Sequence, residues 1–436
     1  MKDCKIYAVI GNPILHSRSP LLFFGAFGQA LLPAYYTRLA SRSVDEALAL
    51  AKELGVAGFN VTAPFKEEVA ARADRLDDVA ARLGAVNTVV VRRGQLEGAN
   101  TDPQGLLGAL QAGGCRPGGK RAVVLGAGGA AKAAAYALKE NGAAHVTVIN
   151  RTPAKAEEVA AKFGCAAATY ADLQEEIAKA DLLVSCLPAY VNPVHPAWLE
   201  EGLVVLDANY AASPLSAAAQ SRGCRVISGL GWLLHQAAAA YRIFTQRPAP
   251  AADMEAALSK LTPPRQRADR AIALIGFMGS GKSEVGRLLA ARLERSFVDL
   301  DRKIEERAKT SVAEIFAAKG ETYFRRLEDA VLAERPLNGA EIVACGGGVV
   351  LSAANRRRLR QNAMVVWLSA PLDVCLSRAA EDPRPLLAGP DVRHRAAEML
   401  ARRLPLYAET ADLVIDAGAQ PPAAVAEKIA DEIREA

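Results

Sequence analysis

The chain has 436 residues, 51% of them hydrophobic, and a net charge of +5 from 53 basic and 48 acidic side chains. That length predicts two or three domains, and that apolar share supplies packed cores and excludes general disorder. The small basic excess suits anionic small substrates and is too weak to argue for nucleic-acid or membrane partners, so neither is expected.

The seven cysteines include no CxxC pair, and none stands near a histidine at zinc-ligand spacing. They are expected as reduced thiols of a cytoplasmic protein. The apolar run after Lys5 stops at Asn12-Pro13, so no signal peptide is expected, and no apolar stretch reaches the ~18 residues of a membrane span.

Short β-rich runs alternate with alanine-rich helical stretches from end to end, the pattern of an α/β protein. Residues 5 to 102 carry several short strands ending in polar loops. GNPILHSRSP (11–20) presents Ser17 and Ser19, with His16 expected to fix the loop. In GFNVTAPFK (58–66), Asn60 and Thr62 share one strand face and Pro64 turns the chain to present Lys66. GAVNT (84–88) and GANTD (98–102) add Asn87, Asn100, Thr101 and Asp102. Such hydroxyls, amides and one cation suit a small polyhydroxylated carboxylate; the alternative is that they only cap turns.

Residues 121 to 152 read as strand, glycine turn, helix, strand, with GAGGAA at 126–131. This is a dinucleotide fingerprint with Ala131 at its third position, a tolerated variant. The second strand ends in Asn150-Arg151-Thr152 rather than in a carboxylate, which favours a 2′-phosphate and hence NADP. Further strands are expected within 181–187, 203–210 and 224–228. A helix over 251–261 closes this half, and the charged, proline-containing stretch 262–270 reads as a linker.

Beyond it, the apolar run Ala271 to Ile275 leads into GFMGSGKS (276–283), a phosphate-binding loop in its required strand–loop–helix setting. Backbone amides around Gly276, Gly279, Ser280 and Gly281 would cradle phosphates, Lys282 would reach the outer ones, and the Ser283 hydroxyl would ligate magnesium. In FVDLDRKIEE (297–306), alternation places Asp299 and Asp301 on one strand face, for magnesium and for an acceptor hydroxyl. The alternative is that they cap the following helix. Arg325 stands beside an aromatic residue, and IVACGGGVV (342–350) ends in glycines that clear space for a ring. Arg384 lies in a proline-bounded loop that reads as a lid, and RRLPLY (402–407) supplies Arg403. Arg356, Arg357, Arg358 and Arg360 read as a solvated helix face.

Over residues 5 to 260 the motifs GNPILHSRSP, NVTAPFK, GAVNT, ANTD, GAGGAAKA, NRT and GLGWLLHQA resemble shikimate dehydrogenase. Residues 271 to about 418 resemble shikimate kinase. The resemblance implies a two-lobed dehydrogenase, an α/β substrate domain (1–103 with 236–261) plus a Rossmann NADP domain (104–235). A P-loop, NMP-kinase-like α/β domain with a parallel sheet (271–436) would follow. It further implies that Ser17, Ser19, Asn60, Thr62, Asn87, Tyr210 and Gln236 bind substrate while Lys66 and Asp102 act on the carbonyl. On the cofactor side it implies Asp78, Gly126, Ala127, Gly128, Gly129, Ala130, Asn150, Arg151, Thr152, Lys155 and Gly229. In the kinase part, Arg325, Gly347 and Arg403 would hold shikimate. Asp301, Lys282 and Arg384 would serve phosphoryl transfer from ATP, with Ser283 and Asp299 at Mg2+.

Where the family continues SPxxHN, this chain has Phe23-Phe24 in place of His-Asn, so part of the pocket rim is expected to differ. Rival readings are an NAD-linked quinate/shikimate dehydrogenase running oxidatively and a non-catalytic metabolite sensor. Arg151 and the attached kinase motifs count against the first, and the intact reactive side chains against the second.

Overall fold

A computed structural model describes residues 4–260, 270–335, 337, 339, 341–380 and 391–435. The linker expected at 262–270 lies outside them apart from Arg270, and so does Arg384 with the expected lid. The chain divides into two compact units, Met1–Phe65 with Ala256–Ala436, and Lys66–Glu255.

The first unit is built on parallel strands, in the order Ser296–Asp299, Glu341–Ala344, Ala271–Ile275, Ala363–Ser369, Leu413–Asp416, Ala34–Ala40, Lys5–Gly11 and Val56–Val61. Its middle strand, AMVVWLS, is buried at every position, as a parallel strand covered on both faces must be. This arrangement departs from the expected division of the chain. Leu413–Asp416 would be an edge strand in a free-standing C-terminal domain. Instead it pairs with Ala34–Ala40, Val414 opposite Leu39 and Ile415 opposite Ala40. Pairing removes an exposed row of backbone donors and acceptors, the usual liability of an edge.

Polar contacts fasten the same seam. Arg38 is 2% exposed and donates from Nη1 to the Asp412 carbonyl at 3.0 Å. Lys428, on the helix Pro422–Glu435, forms an ion pair with Glu46, both side chains largely buried. The arginine run on the helix Ala353–Asn362 is a solvated face only in part: Arg357 is exposed, but its neighbours find partners. Arg356 pairs with Glu409 at 2.9 Å and donates to the Val350 carbonyl, and Arg360 lies 4.6 Å from the Phe24 ring centroid. Spacing alone had no way to reveal these partners.

The second unit centres on a six-stranded parallel sheet. Its order is Arg225–Ser228, Val204–Asp207, Leu182–Ser185, Arg121–Leu125, His145–Ile149 and Ala166–Ala168. The chain leaves Arg121–Leu125 for one neighbour and returns on its other side, so a crevice opens at that strand's carboxyl end. A hairpin of Thr88–Arg92 and Gln95–Ala99 and the helices Asp102–Ala112 and Gly229–Thr245 complete the unit. These two helices approach closely because Gly105 and Gly108 lack side chains: a Cβ at Gly105 would overlap Trp232 and Gln236, and one at Gly108 would overlap His235.

The seven cysteines are thiols, most of them buried. Among the described residues no helix is long and apolar enough to cross a membrane.

The strand pairing has a measurable consequence. A chain carrying a protease site inserted between Thr262 and Ala268 is expected, once cut, to elute from gel filtration as one particle holding both pieces. Separate elution of the two pieces would show that the seam between Ala34–Ala40 and Leu413–Asp416 does not hold them.

Candidate active sites

In the second unit the Lys66 ammonium forms an ion pair with Asp102, their side chains 17% and 5% exposed. Asp102 opens the helix Asp102–Ala112, where amide donors and the helix dipole favour a carboxylate. Its position is fixed from several sides. Its backbone amide donates to Asn100 Oδ1 at 3.0 Å, its carbonyl accepts from the Trp232 indole at 2.9 Å, and Asn87 Nδ2 lies 2.9 Å from Oδ1. The same Asn87 nitrogen lies 3.1 Å from Gln236 Oε1, and Asn87 Oδ1 accepts from the Thr101 amide at 2.8 Å. Asn87, Asp102 and Gln236 therefore meet at one point with Lys66. Trp232 was missed by motif reading, although it sits inside GLGWLLHQA.

The dinucleotide turn follows the strand Arg121–Leu125. Gly126 adopts φ +108°, a region that L side chains rarely enter, and its amide donates to the Ile149 carbonyl at 2.8 Å. Gly128 caps the helix Gly129–Glu140, leaving the turn Ala127–Ala130 with amides at a helix N-terminus, a ready anion site. Arg151, Thr152 and Lys155 are exposed around the start of the helix Pro153–Phe163, beyond the second strand, and Asn150 Nδ2 donates to the Thr152 carbonyl at 3.0 Å. Gly229 is dictated by packing, because a Cβ there would overlap the carbonyls of Ala208 and Asn209, just before Tyr210. Asp78 is exposed at the start of the helix Asp78–Leu83. Cys186, also missed, is half-buried near Asp102 and Asp207; loss of hydration chiefly, and then those carboxylates, push its thiol pKa up.

In the first unit the loop after Lys5–Gly11 carries Ser17, buried, and Ser19, half-buried, their hydroxyls 3.4 Å apart. Asn60 and Thr62 are half-buried at the end of Val56–Val61. Asn60 Oδ1 accepts from the Tyr36 hydroxyl at 2.6 Å, and the Tyr36 ring stacks on Phe23 at 4.2 Å. The Phe23-Phe24 departure is thereby explained: Phe23 supports the tyrosine that orients Asn60, while Phe24 lies under Arg360.

The phosphate-loop residues gather in one cleft of about 540 Å3 within this unit. Met278, Gly279, Gly281, Lys282 and Ser283 line it together with Asp299, Asp301, Arg325, Gly347 and Arg403. Gly276, Gly279 and Gly281 all have positive φ, and Lys282 Nζ donates to the carbonyls of Gly276 and Phe277 at 3.0 and 2.9 Å. Ser283 Oγ lies 2.6 Å from Asp299 Oδ2. Asp299 and Asp301 do not share a strand face. The strand ends at Asp299, whose carboxylate caps the helix Leu300–Ala308 by accepting from the Asp301 amide, and Asp301 stands in that helix's first turn. Both still line the cleft, because the strand end and the helix start open onto it.

Arg325 donates to Glu328 at 2.8 Å and to Glu321 at 3.1 Å. Burial raises the Glu328 pKa, and Arg325 opposes that rise. The glycine run admits these groups rather than an open floor. A Cβ at Gly348 would overlap the Arg325 guanidinium, and one at Gly346 would overlap Glu328. Arg403 is 3% exposed, and its guanidinium is oriented by donating to the Gly347 carbonyl at 3.1 Å. Tyr407 donates to that carbonyl at 2.6 Å, and burial pushes its phenol up to about 12. Glu328, Arg287 and Arg378 were missed in the sequence; the last two also line the cleft.

Family models match residues 9–89 as a shikimate dehydrogenase substrate binding domain, 112–206 as shikimate/quinate 5-dehydrogenase and 229–258 as a shikimate 5′-dehydrogenase C-terminal domain. Shikimate dehydrogenase (NADP(+)) of Moorella thermoacetica is 41% identical over 273 residues, covering 58% of this chain and 92% of that protein. The Halobacterium salinarum enzyme of the same name is 41% identical over 262 residues, covering 58% and 98%. The chain belongs to the shikimate dehydrogenase family. Residues 278–434 match the shikimate kinase model, so this dehydrogenase is followed by a shikimate kinase domain.

Solved structures agree for the dehydrogenase part. That of Aquifex aeolicus shikimate dehydrogenase superposes with a TM-score of 0.57 at 32% identity, covering 59% of this chain and 98% of that one. Thermus thermophilus shikimate 5-dehydrogenase in complex with NADP(H) and shikimate gives 0.54 at 34%, covering 59% and 99%. Quinate dehydrogenase from Corynebacterium glutamicum in complex with NAD gives 0.56 at 27%, covering 59% and 99%.

The glycine run of the kinase domain offers a sharp test. Gly348→Ala should displace Arg325 and lower kinase kcat/KM by roughly tenfold or more, as expected when a buried charge pair is disturbed. Steady-state assays of both activities on one preparation check this, and dehydrogenase activity should stay unchanged.

Proposed function

We propose that the protein reduces 3-dehydroshikimate to shikimate with NADPH and then phosphorylates the 3-hydroxyl of shikimate with ATP. The Lys66–Asp102 pair, braced by Asn87, carries the dehydrogenase reading, and the shared cleft of phosphate loop, acidic pair and arginines supports the kinase reading.

NADPH supplies the hydride when bound. Lys66 delivers a proton to the carbonyl oxygen as the alcohol forms, and Asp102 holds the ammonium charged and aimed. Ser17, Ser19, Asn60, Thr62, Asn87, Tyr210 and Gln236 bind the substrate's hydroxyls and carboxylate. Gly126 to Ala130 receive the pyrophosphate and Arg151, with Asn150, Thr152 and Lys155, the 2′-phosphate; Asp78 and Gly229 border the cofactor. These assignments favour shikimate and NADP over an NAD-linked quinate dehydrogenase, because Arg151 ends the second strand where NAD-binding folds place a carboxylate.

In the kinase, Arg325 and Arg403 clamp the carboxylate, the orienting kind of contact for planar guanidinium groups. Asp301 holds the attacking hydroxyl, Gly347 borders the substrate, and Lys282 steadies the outer phosphates. The hydroxyl and carboxylate oxygens of Ser283 and Asp299, 2.6 Å apart, are the hard donors that Mg2+ takes. When bound, the ion neutralises phosphate charge. We assign Arg384, outside the described residues, to the transferred phosphate. We assign its work to the cytoplasm, where both NADPH and ATP are at hand.

Two substitutions test the dehydrogenase assignment. Lys66→Ala should lower reductase turnover by a factor on the order of 100 to 10,000 and spare the kinase. A folded Lys66→Ala protein reducing dehydroshikimate at a near-normal rate removes that residue from the mechanism. Arg151→Ala should raise the NADPH KM by about tenfold or more and the NADH KM far less, since only the former carries the paired phosphate. Equal losses would show that the strand end does not read the phosphate.

A further inference from the structure

The helix Pro422–Glu435 at the end of the kinase domain reaches the loop that bears Ser17 and Ser19. Glu432, 3% exposed, turns its carboxylate toward the start of GNPILHSRSP. Its Oε2 accepts from the backbone amides of Ile14 at 2.8 Å and Leu15 at 2.9 Å. Both of those side chains are fully buried. Farther along the same loop, the Ser17 carbonyl accepts from Arg38 Nε at 3.0 Å, and Arg38 in turn donates to the Asp412 carbonyl. The loop is thus held on both sides of His16 by groups tied to the kinase sequence.

We propose that Glu432 is a positioning residue for the dehydrogenase, fixing through two amides the loop that presents Ser17 and Ser19 to substrate. The chemistry is specific. Two adjacent buried amides need a shared acceptor, and a carboxylate oxygen is the strongest that a side chain offers. The helix that brings it is itself anchored, since Lys428 pairs with Glu46 and the helix packs along Lys282–Arg292, the helix that follows the phosphate loop. Leu15 and Glu432 lie 417 residues apart, so part of what holds the loop comes from the kinase sequence. This rests on the assignment of Ser17 and Ser19 to substrate.

The test is steady-state kinetics on the full-length protein. Glu432→Ala should raise KM for dehydroshikimate on the order of tenfold with kcat within about twofold, the signature of lost uniform binding. The KM for NADPH and the kinase activity should stay unchanged. Glu432→Gln keeps an acceptor oxygen for both amides and should restore most of the KM. A merely structural role would reduce the active fraction, and hence apparent kcat, with KM unchanged, and that result would overturn the proposal. Should Glu432→Ala not yield folded protein, Glu432→Asp withdraws the carboxylate by one methylene and should raise KM in the same direction; an unchanged KM there would equally overturn it. Ser17→Ala separates the two readings. If it raises KM while the Glu432 variants do not, the positioning role is wrong and the substrate loop stands. If neither changes KM, the loop assignment fails and takes the proposal with it.

Discussion

Parallel strands buried on both faces leave one place where polar side chains can meet a ligand: the loops beyond the strands' carboxyl ends. Many functional groups of this chain obey that constraint, while Arg325, Arg403 and Gln236 reach in from helices. Gly126 follows Arg121–Leu125, and Arg151 follows His145–Ile149. Gly276 follows Ala271–Ile275, Asp301 follows Ser296–Asp299, and Gly346 follows Glu341–Ala344. Ser17 and Thr62 likewise come after Lys5–Gly11 and Val56–Val61. Two unrelated chemistries share one chain because each satisfies this rule with its own set of strand ends.

Where side chains converge in the kinase cleft, absent side chains make the convergence possible. Gly346 and Gly348 have ordinary φ values, so their need is for space rather than for a special backbone. The volume that a Cβ would fill is taken by Glu328 and Arg325, which places a guanidinium at the cleft wall beside a nearly buried carboxylate. Burying such a pair is costly unless its geometry is fixed. Arg325 is held by Glu321 as well as by Glu328, which gives that fixing. The dehydrogenase pair follows the same logic by other means. Asp102 is secured by an amide side chain, an indole and a helix start, so Lys66 meets a carboxylate that cannot swing away.

Much of this was legible in the sequence because it is local. A glycine turn between strand and helix, a phosphate loop, or a polar loop closing an apolar run is encoded within about ten residues, the range over which turn and capping chemistry acts. The reading failed where the deciding partner was remote. Asp299 and Asp301 alternate as a strand would, but the helix begins at Leu300, and the carboxylate of Asp299 is what starts it. Arg356 and Arg360 sit in a polar helix, yet Glu409 and Phe24 lie far away in sequence. The strand pairing across the chain was hidden for the same reason: no local pattern announces that Leu413–Asp416 pairs with Ala34–Ala40.

That seam changes what the two halves are to each other. A tethered pair of enzymes would need only matched surfaces, with charges left at the rim where they stay hydrated. Here Arg38, Lys428 and Glu432 are each 3% exposed or less, and each is satisfied by a group from the other part of the sequence: the Asp412 carbonyl, the Glu46 carboxylate, and the amides of Ile14 and Leu15. Arg38 also donates to the Ser17 carbonyl, so it links the substrate-side loop and the C-terminal sequence through one guanidinium. Phe23 is turned inward to stack on Tyr36, whereas Phe24 stays half exposed with the Arg360 guanidinium 4.6 Å from its ring centroid. The first strands and the C-terminal sheet therefore form one compact unit, and the loop bearing Ser17 and Ser19 is held in part by the chain's last helix.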